Sequence, residues 1–369
     1  MSYEWMTETS AGHWDFVIQE NLTAKEAVAF MKSSMRPRTF LDNLQDFYTG
    51  EDLEKCLLDG LCHYGGGNRK SIRRKVNNWM QNRNLPSDRE DLLCICFLLG
   101  LDENASDCLL KRISGQGIHY RNSRELVYAY CLKNNMDYGQ AKKLADEIQK
   151  PDGTEGNGTL MADAEYGQKE LLTSEVKSDF QALCNYEELI PFILERKAGL
   201  GECHNTAYQY FNEMFELLAK ETGKKGYSTD EVVNTYLRLN MPFDRHTSGY
   251  SCLQKLIKKH WPGSRSVKAM KSRKQDVSRK VLLLLYIVTG GIYHDSYEEM
   301  DEEGISAEEF LEFHCRNMNK MLYECGMGRI DPRNAFDFLI LYSIRPEKEI
   351  FMGDRMEEII QELYRDIYY

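Results

Sequence analysis

The 369-residue chain has no long hydrophobic run. The longest, Val281–Val288, falls far short of the roughly 20 apolar residues that a spanning helix needs, so no membrane span is predicted. The opening MSYEWMTETSAGHWDF lacks the basic start and apolar core of a secretory leader. Proline is scarce, at eight residues, and no stretch alternates apolar and polar residues for long enough to suggest a sheet. Eleven cysteines are present, but none form a Cys-x-x-Cys pair. Several sit inside apolar runs such as LLCICFLLG, where a thiol serves as a small hydrophobe. That usage predicts a reducing, cytoplasmic setting with no disulfide framework. Cys62-His63, Cys203-His204 and His314-Cys315 are partial metal pairs, but spacing alone assembles no tetrahedral set from them, so no metal is expected. A Gly-rich phosphate loop, paired carboxylates, and Ser/His/Asp or Cys/His constellations are also lacking. Neither an enzyme nor a cofactor is predicted.

Helix-forming patterns fill what remains. EDLLCICFLLGL and SRKVLLLLYIV are too long and Leu-rich for isolated strands, and AYQYFNEMFELLAKE and DRMEEIIQELYRDIYY space apolar residues by three and four. The fold class is therefore all-α. Residues 1–35 read as an N-terminal arm, 36–149 as a first helical domain and 150–168, with its glycines and Pro151, as a flexible linker. Residues 169–369 read as a second helical domain with an acidic insertion at 291–312.

Two blocks of sequence recur. A shift of 190 places Met80, Arg83, Arg89, Leu92, Leu93 and Gly100 on Met270, Arg273, Arg279, Leu282, Leu283 and Gly290. A shift of 212 places IHYRNSRELVYAY, from Ile118, on IDPRNAFDFLILY, from Ile330, with Glu125 meeting Asp337. Two divergent copies of one helical module follow from this, the second enlarged by the acidic segment. Asn122 or Ser123, and Asn334, are suited to cap the helices that start after each Arg-Asn pair. Arg121 and Arg333 either serve a binding site or tie their loops to neighbouring carboxylates.

Charge is unevenly spread. The total is −11, yet Leu61–Ser87 holds six Lys/Arg and no acid, and Lys255–Lys280 holds ten Lys/Arg against Asp276 alone. Local charge sets the potential that a phosphate meets. In NRKSIRRKVNNWMQNRNLPSDREDLL, from Asn68, the residues Ile72, Val76, Trp79 and Met80 make one apolar stripe. The other faces carry Lys70, Arg73, Arg74, Asn77, Asn78 and Gln81. Such a surface suits a polyanion, and it is equally what a solvated helix face looks like.

The run Val76-x-x-Trp79-Met80-x-Asn82-Arg83-x-x-Pro86-Ser87, followed by a Leu-rich helix ending in a Leu-Gly turn, resembles the Cro/repressor (XRE) type of helix-turn-helix. Asn82 stands where that family usually has Gly. The tracts Cys108–Tyr130 and Lys320–Tyr342 look like a helical segment that follows such domains in some bacterial regulators of Gram-positive type. The resemblance covers roughly Arg38–Leu110. It implies a first motif helix at Leu53–Leu61, an enlarged turn at CHYGGGN and a recognition helix at Ser71–Gln81. Asn77, Asn78 and Gln81 would then read adenine, and Arg73 or Arg74 guanine. Arg69, Lys70, Lys75 and Arg83 would hold phosphates.

The expected function is that of a DNA-binding transcriptional regulator whose partner is duplex DNA. The alternative is a non-enzymatic adaptor that reuses such modules to bind protein, in particular through the second domain. In that domain the helix Ser264–Lys271 is shorter, and its cations could instead hold the acidic insertion. Among lesser candidates, Asn205 or Thr206 would cap a helix, and Thr173 or Ser174 could carry a docking phosphate.

Overall fold

A computed structural model describes residues 7–19, 21–65, 67–81, 86, 88–149, 173–183, 185–196, 200, 203–221, 228–243, 249–291, 306–344 and 351–368. The Gly-rich segment 150–168, residues 292–305 of the acidic insertion, and Asn82, Arg83 and Ser87 lie outside them. Within the described residues the protein is all helical. In chain order the helices are α1 (Glu8–Val17), α2 (Ala24–Ser33), α3 (Phe40–Gln45), α4 (Leu53–Tyr64), α5 (Arg69–Met80), α6 (Arg89–Leu98) and α7 (Glu103–Ser114). Then come α8 (Ser123–Lys133), α9 (Tyr138–Gln149), α10 (Thr173–Gln181), α11 (Tyr186–Glu195), α12 (Asn205–Glu221) and α13 (Thr229–Val232), which runs into a π-turn at Val233–Leu237. The last are α14 (Cys252–Lys258), α15 (Ser264–Lys271), α16 (Arg279–Val288), α17 (Ala307–Glu324), α18 (Ala335–Ser343), α19 (Met352–Leu363) and α20 (Arg365–Tyr368).

The helices gather into two compact units that do not follow sequence order. A middle unit comprises Thr39–Thr206 together with Cys325–Gly328, and a terminal unit comprises Met1–Arg38, Ala207–Glu324 and Arg329–Tyr369. In the region read as an arm, α1 and α2 bury Trp14, Val17, Ala27, Val28 and Met31. There α2 packs on α19, and His13 Nδ1 lies 3.3 Å from the Pro332 carbonyl. An apolar face that size has to be covered, and the covering helices come from the far end of the chain. Cys325–Gly328 joins the middle unit by an antiparallel bridge, Gly117 N donating to Gly326 O (3.0 Å) and Gly328 N to Gly115 O (3.1 Å).

Each unit is centred on a pair of helices that are apolar on nearly all sides, as the Leu-rich runs require. In the middle unit these are α6 and α8, and in the terminal unit α16 and α18, whose nine residues are all buried. The same bonds brace both pairs. Arg89 Nε and Nη2 donate to the Glu125 carboxylate (3.0 and 2.8 Å), and Arg279 Nη1 and Nη2 to that of Asp337 (2.6 and 2.7 Å). His119 N donates to Glu125 Oε2 (2.8 Å), and Asp331 N to Asp337 Oδ2 (2.9 Å). Ile118 N donates to Asp107 Oδ1 (2.9 Å), and Ile330 N to Asn319 Oδ1 (2.8 Å). Asn122 and Asn334 cap α8 and α18. Gly100 and Gly290 close α6 and α16 at φ +66°, the left-handed conformation that glycine adopts without cost.

Arg121 and Arg333 donate to the carbonyls of Cys203 (2.9 Å) and Arg36 (3.1 Å), and Arg89 and Arg279 make the bidentate carboxylate pairs described above. Helix α5 buries Ile72, Val76 and Trp79, and α15 buries Val267 and Met270. Met270, rather than a tryptophan, therefore anchors α15.

Candidate nucleic-acid interface

Helix α5 begins at Asn68, whose side chain accepts from Lys70 N (2.9 Å), and ends at Gln81. It packs on α3 and α4, burying Ile72, Val76 and Trp79, with Trp79 edge-on to Phe40 at 6.0 Å between centroids. Residues 70, 73, 74, 77, 78 and 81 recur at three and four positions and so share the face opposite that anchor. They line one shallow surface groove.

The cations of α5 divide into two sets. Arg69 pairs with Asp59 (2.8 Å), and Lys75 pairs with Asp91 while its ammonium lies 5.2 Å from the Trp79 ring centroid. Those two flank the groove. Lys70, Arg73 and Arg74 are exposed and have no ion pair or hydrogen bond from their side chains among the described residues. Asn77 and Asn78 are half-buried and Gln81 is exposed. With its amide turned to suit its neighbours, Asn77 donates to Glu54 Oε1 of α4 (2.8 Å), which sets a carboxylate at the groove's edge. Of the predicted contact residues the structure thus brings six onto one face, sets Arg69 and Lys75 at its margins and leaves Arg83 outside the described residues.

The basic tract of the terminal unit is spent differently. Lys268 pairs with Asp230 (2.5 Å) and Lys271 with Glu216 (3.5 Å), carboxylates from α13 and α12. Arg273 lies over Tyr208, 4.6 Å from its centroid. Lys280 donates to the carbonyls of Ile257 and Lys259 (2.8 and 2.7 Å). These groups hold helices together and leave α15 with far less free charge than α5.

The other polar clusters look structural. Burial alone would raise the Glu125 carboxyl, but the Arg89 charge and its hydrogen bonds outweigh that and hold it below the usual range. For Asp107 the same contest is decided by Lys111 and Lys177. Burial pushes the Cys94, Cys96 and Cys131 thiols up to about 12, so they stay protonated and unreactive. The ten described cysteines are all free thiols. Thr173 is buried, with its hydroxyl 3.4 Å from His204 Nδ1, and so is not placed to receive a phosphate. Sequence reasoning missed the Arg89–Glu125 and Arg279–Asp337 pairs. The signal was available, because an arginine matches an arginine in one block and an acid an acid in the other.

Comparison of the chain with protein-family models, with curated proteins and with solved structures finds no match.

Proposed function

We propose that the protein is a DNA-binding transcriptional regulator that lays α5 in the major groove of duplex DNA, with α4 as the supporting helix of a helix-turn-helix. The observation that carries this reading is the face of Lys70, Arg73, Arg74, Asn77, Asn78 and Gln81. Three cations without carboxylate partners and three amides stand along one helix, opposite a fixed tryptophan anchor, in a chain whose net charge is −11. Lys70 and the two arginines supply phosphate contacts or guanine pairing, and Asn78 and Gln81 supply adenine pairing. Asn77 joins them on release from Glu54.

We further propose that the two units descend from one duplicated module. The bracing bonds support this, with Arg89 and Arg279 related by 190 positions and their partners Glu125 and Asp337 by 212, because chance similarity between Leu-rich helices would not reproduce the partner of each bond. In this reading only the first copy keeps a recognition surface, and the second pairs Lys268 and Lys271 of α15 with carboxylates of its own unit.

Fluorescence anisotropy of labelled duplex DNA, titrated at several salt concentrations, tests the function. Three released phosphate counterions predict a slope of log affinity on log salt of about −3, steepening toward about −5 if Arg69 and Lys75 exchange their carboxylates for phosphates. Arg73→Ala combined with Arg74→Ala removes most of the binding. Glu54→Gln strengthens it, since a carboxylate leaves the groove's edge. Absence of binding at low salt refutes the regulator and leaves the adaptor reading.

A further inference from the structure

A second cationic surface lies on the terminal unit. Arg316, Asn319, Lys320 and Tyr323 recur at three and four positions along α17, and Arg329 follows just beyond the helix, so that the five line one groove. Arg316, Lys320 and Arg329 are exposed and have no ion pair among the described residues. Tyr323 is 67% exposed, second only to Phe351 among the large hydrophobic residues that are described. The peptide that follows Arg329 is held at both its polar ends: Asn319 Oδ1 accepts from Ile330 N (2.8 Å), and the Arg329 carbonyl accepts from Arg279 Nη2 (3.0 Å). The positions 212 residues earlier are Asn104, Asp107, Cys108, Lys111 and Gly117, where Asp107 neutralises Lys111. Those positions form no matching cluster of unpaired cations.

We infer that this groove binds single-stranded nucleic acid, stacking an unpaired base on Tyr323 while Arg316, Lys320 and Arg329 hold the flanking phosphates. Charge complementarity selects a polyanion, as three unpaired cations cluster on a chain of net charge −11. The exposed ring then selects among polyanions. A duplex keeps its base faces stacked inside the helix, an acidic peptide offers no flat face, and an unpaired base offers one. The surface is independent of α5, and each can fail without the other.

The test uses the full-length protein carrying Arg73→Ala and Arg74→Ala, which silences α5, and a fluorescein-labelled deoxythymidine 10-mer. This background binds the 10-mer at low salt. Tyr323→Ala weakens it roughly tenfold, the loss of one stacked base, and Tyr323→Trp restores it. Replacing Arg316, Lys320 and Arg329 together by Ala removes the binding and, with it, a salt slope of about −2. Circular dichroism verifies that these surface variants stay folded. The inference is overturned if the 10-mer does not bind, if Tyr323→Ala leaves its affinity unchanged, or if polyglutamate competes as well as unlabelled strand does. Loss of duplex binding in the same background bears on α5 only.

Discussion

Replacing Arg279 by Met should destabilise the terminal unit by about 4 kcal/mol, for reasons that can be worked from the geometry. The guanidinium makes two charged hydrogen bonds to Asp337, 2.6 and 2.7 Å long, and the two side chains are 12% and 1% exposed. Without it the carboxylate keeps Asp331 N as a donor but stays buried without a counter-charge. Breaking a buried pair from one side costs about 3–5 kcal/mol. Two charge-assisted bonds at roughly 1.5–3 kcal/mol each give a similar figure. The corresponding change Arg89→Met should cost less, about 2 kcal/mol, because Arg89 is 32% exposed and water screens its pair. Urea titration followed by tryptophan fluorescence separates the two effects. Trp14 and Trp261 report on the terminal unit, and Trp79 on the middle unit. At a urea slope of about 2 kcal/mol per molar, Arg279→Met lowers its unit's midpoint by about 2 M. Arg279→Met with Asp337→Leu should recover most of the loss, since an apolar pair of similar volume often replaces a buried ion pair at no net cost. A single-variant loss below about 1 kcal/mol, or a double variant no better than the single one, refutes the reasoning.

Trp79→Ala should cost about 3–5 kcal/mol in the middle unit and abolish duplex binding, whereas Arg73→Ala with Arg74→Ala leaves its stability in urea titration within about 0.5 kcal/mol of the parent. Stability should also fall in mild acid. Burial lowers the His314 pKa from 6.5 to about 4, so below pH 6.5 the unfolded chain takes up a proton that the folded one refuses. The stabilisation is whole above pH 6.5 and is lost as pH falls toward about 4, at up to roughly 1.4 kcal/mol per pH unit. His314→Gln flattens that window in pH-dependent urea titrations. The lowered carboxyls of Glu125 and Asp107 produce a further loss only at lower pH, as they protonate.

The fold class was legible because helical spacing is local: the apolar stripe of α5 and the caps at Asn122 and Asn334 depend on residues within a turn or two. So was the face of α5, since burying Ile72, Val76 and Trp79 forces positions 70, 73, 74, 77, 78 and 81 outward. Which cations stay unpaired was not legible. Arg69 and Lys75 look no different from Arg73 in sequence, and only the approach of Asp59 and Asp91 in three dimensions divides them. The packing of α1 on α18 and of α2 on α19 was hidden for the same reason, as a contact across more than 300 positions leaves no local trace. The groove on α17 was also missed. Its basic residues are sparse in the chain and become a cluster only when Arg329 folds back against the helix.

The division of the chain between the two units has a consequence for synthesis. Helices α1 and α2 are synthesised well before α18 and α19, which pack against them. The segment from Thr39 to Thr206 can condense soon after it emerges, whereas α1 and α2 wait, with Trp14 and Met31 uncovered, until α18 and α19 have been made. A premature stop before Met352 strands them permanently, so shortened products of this chain are natural substrates for chaperones and proteases even when their middle portion is well formed.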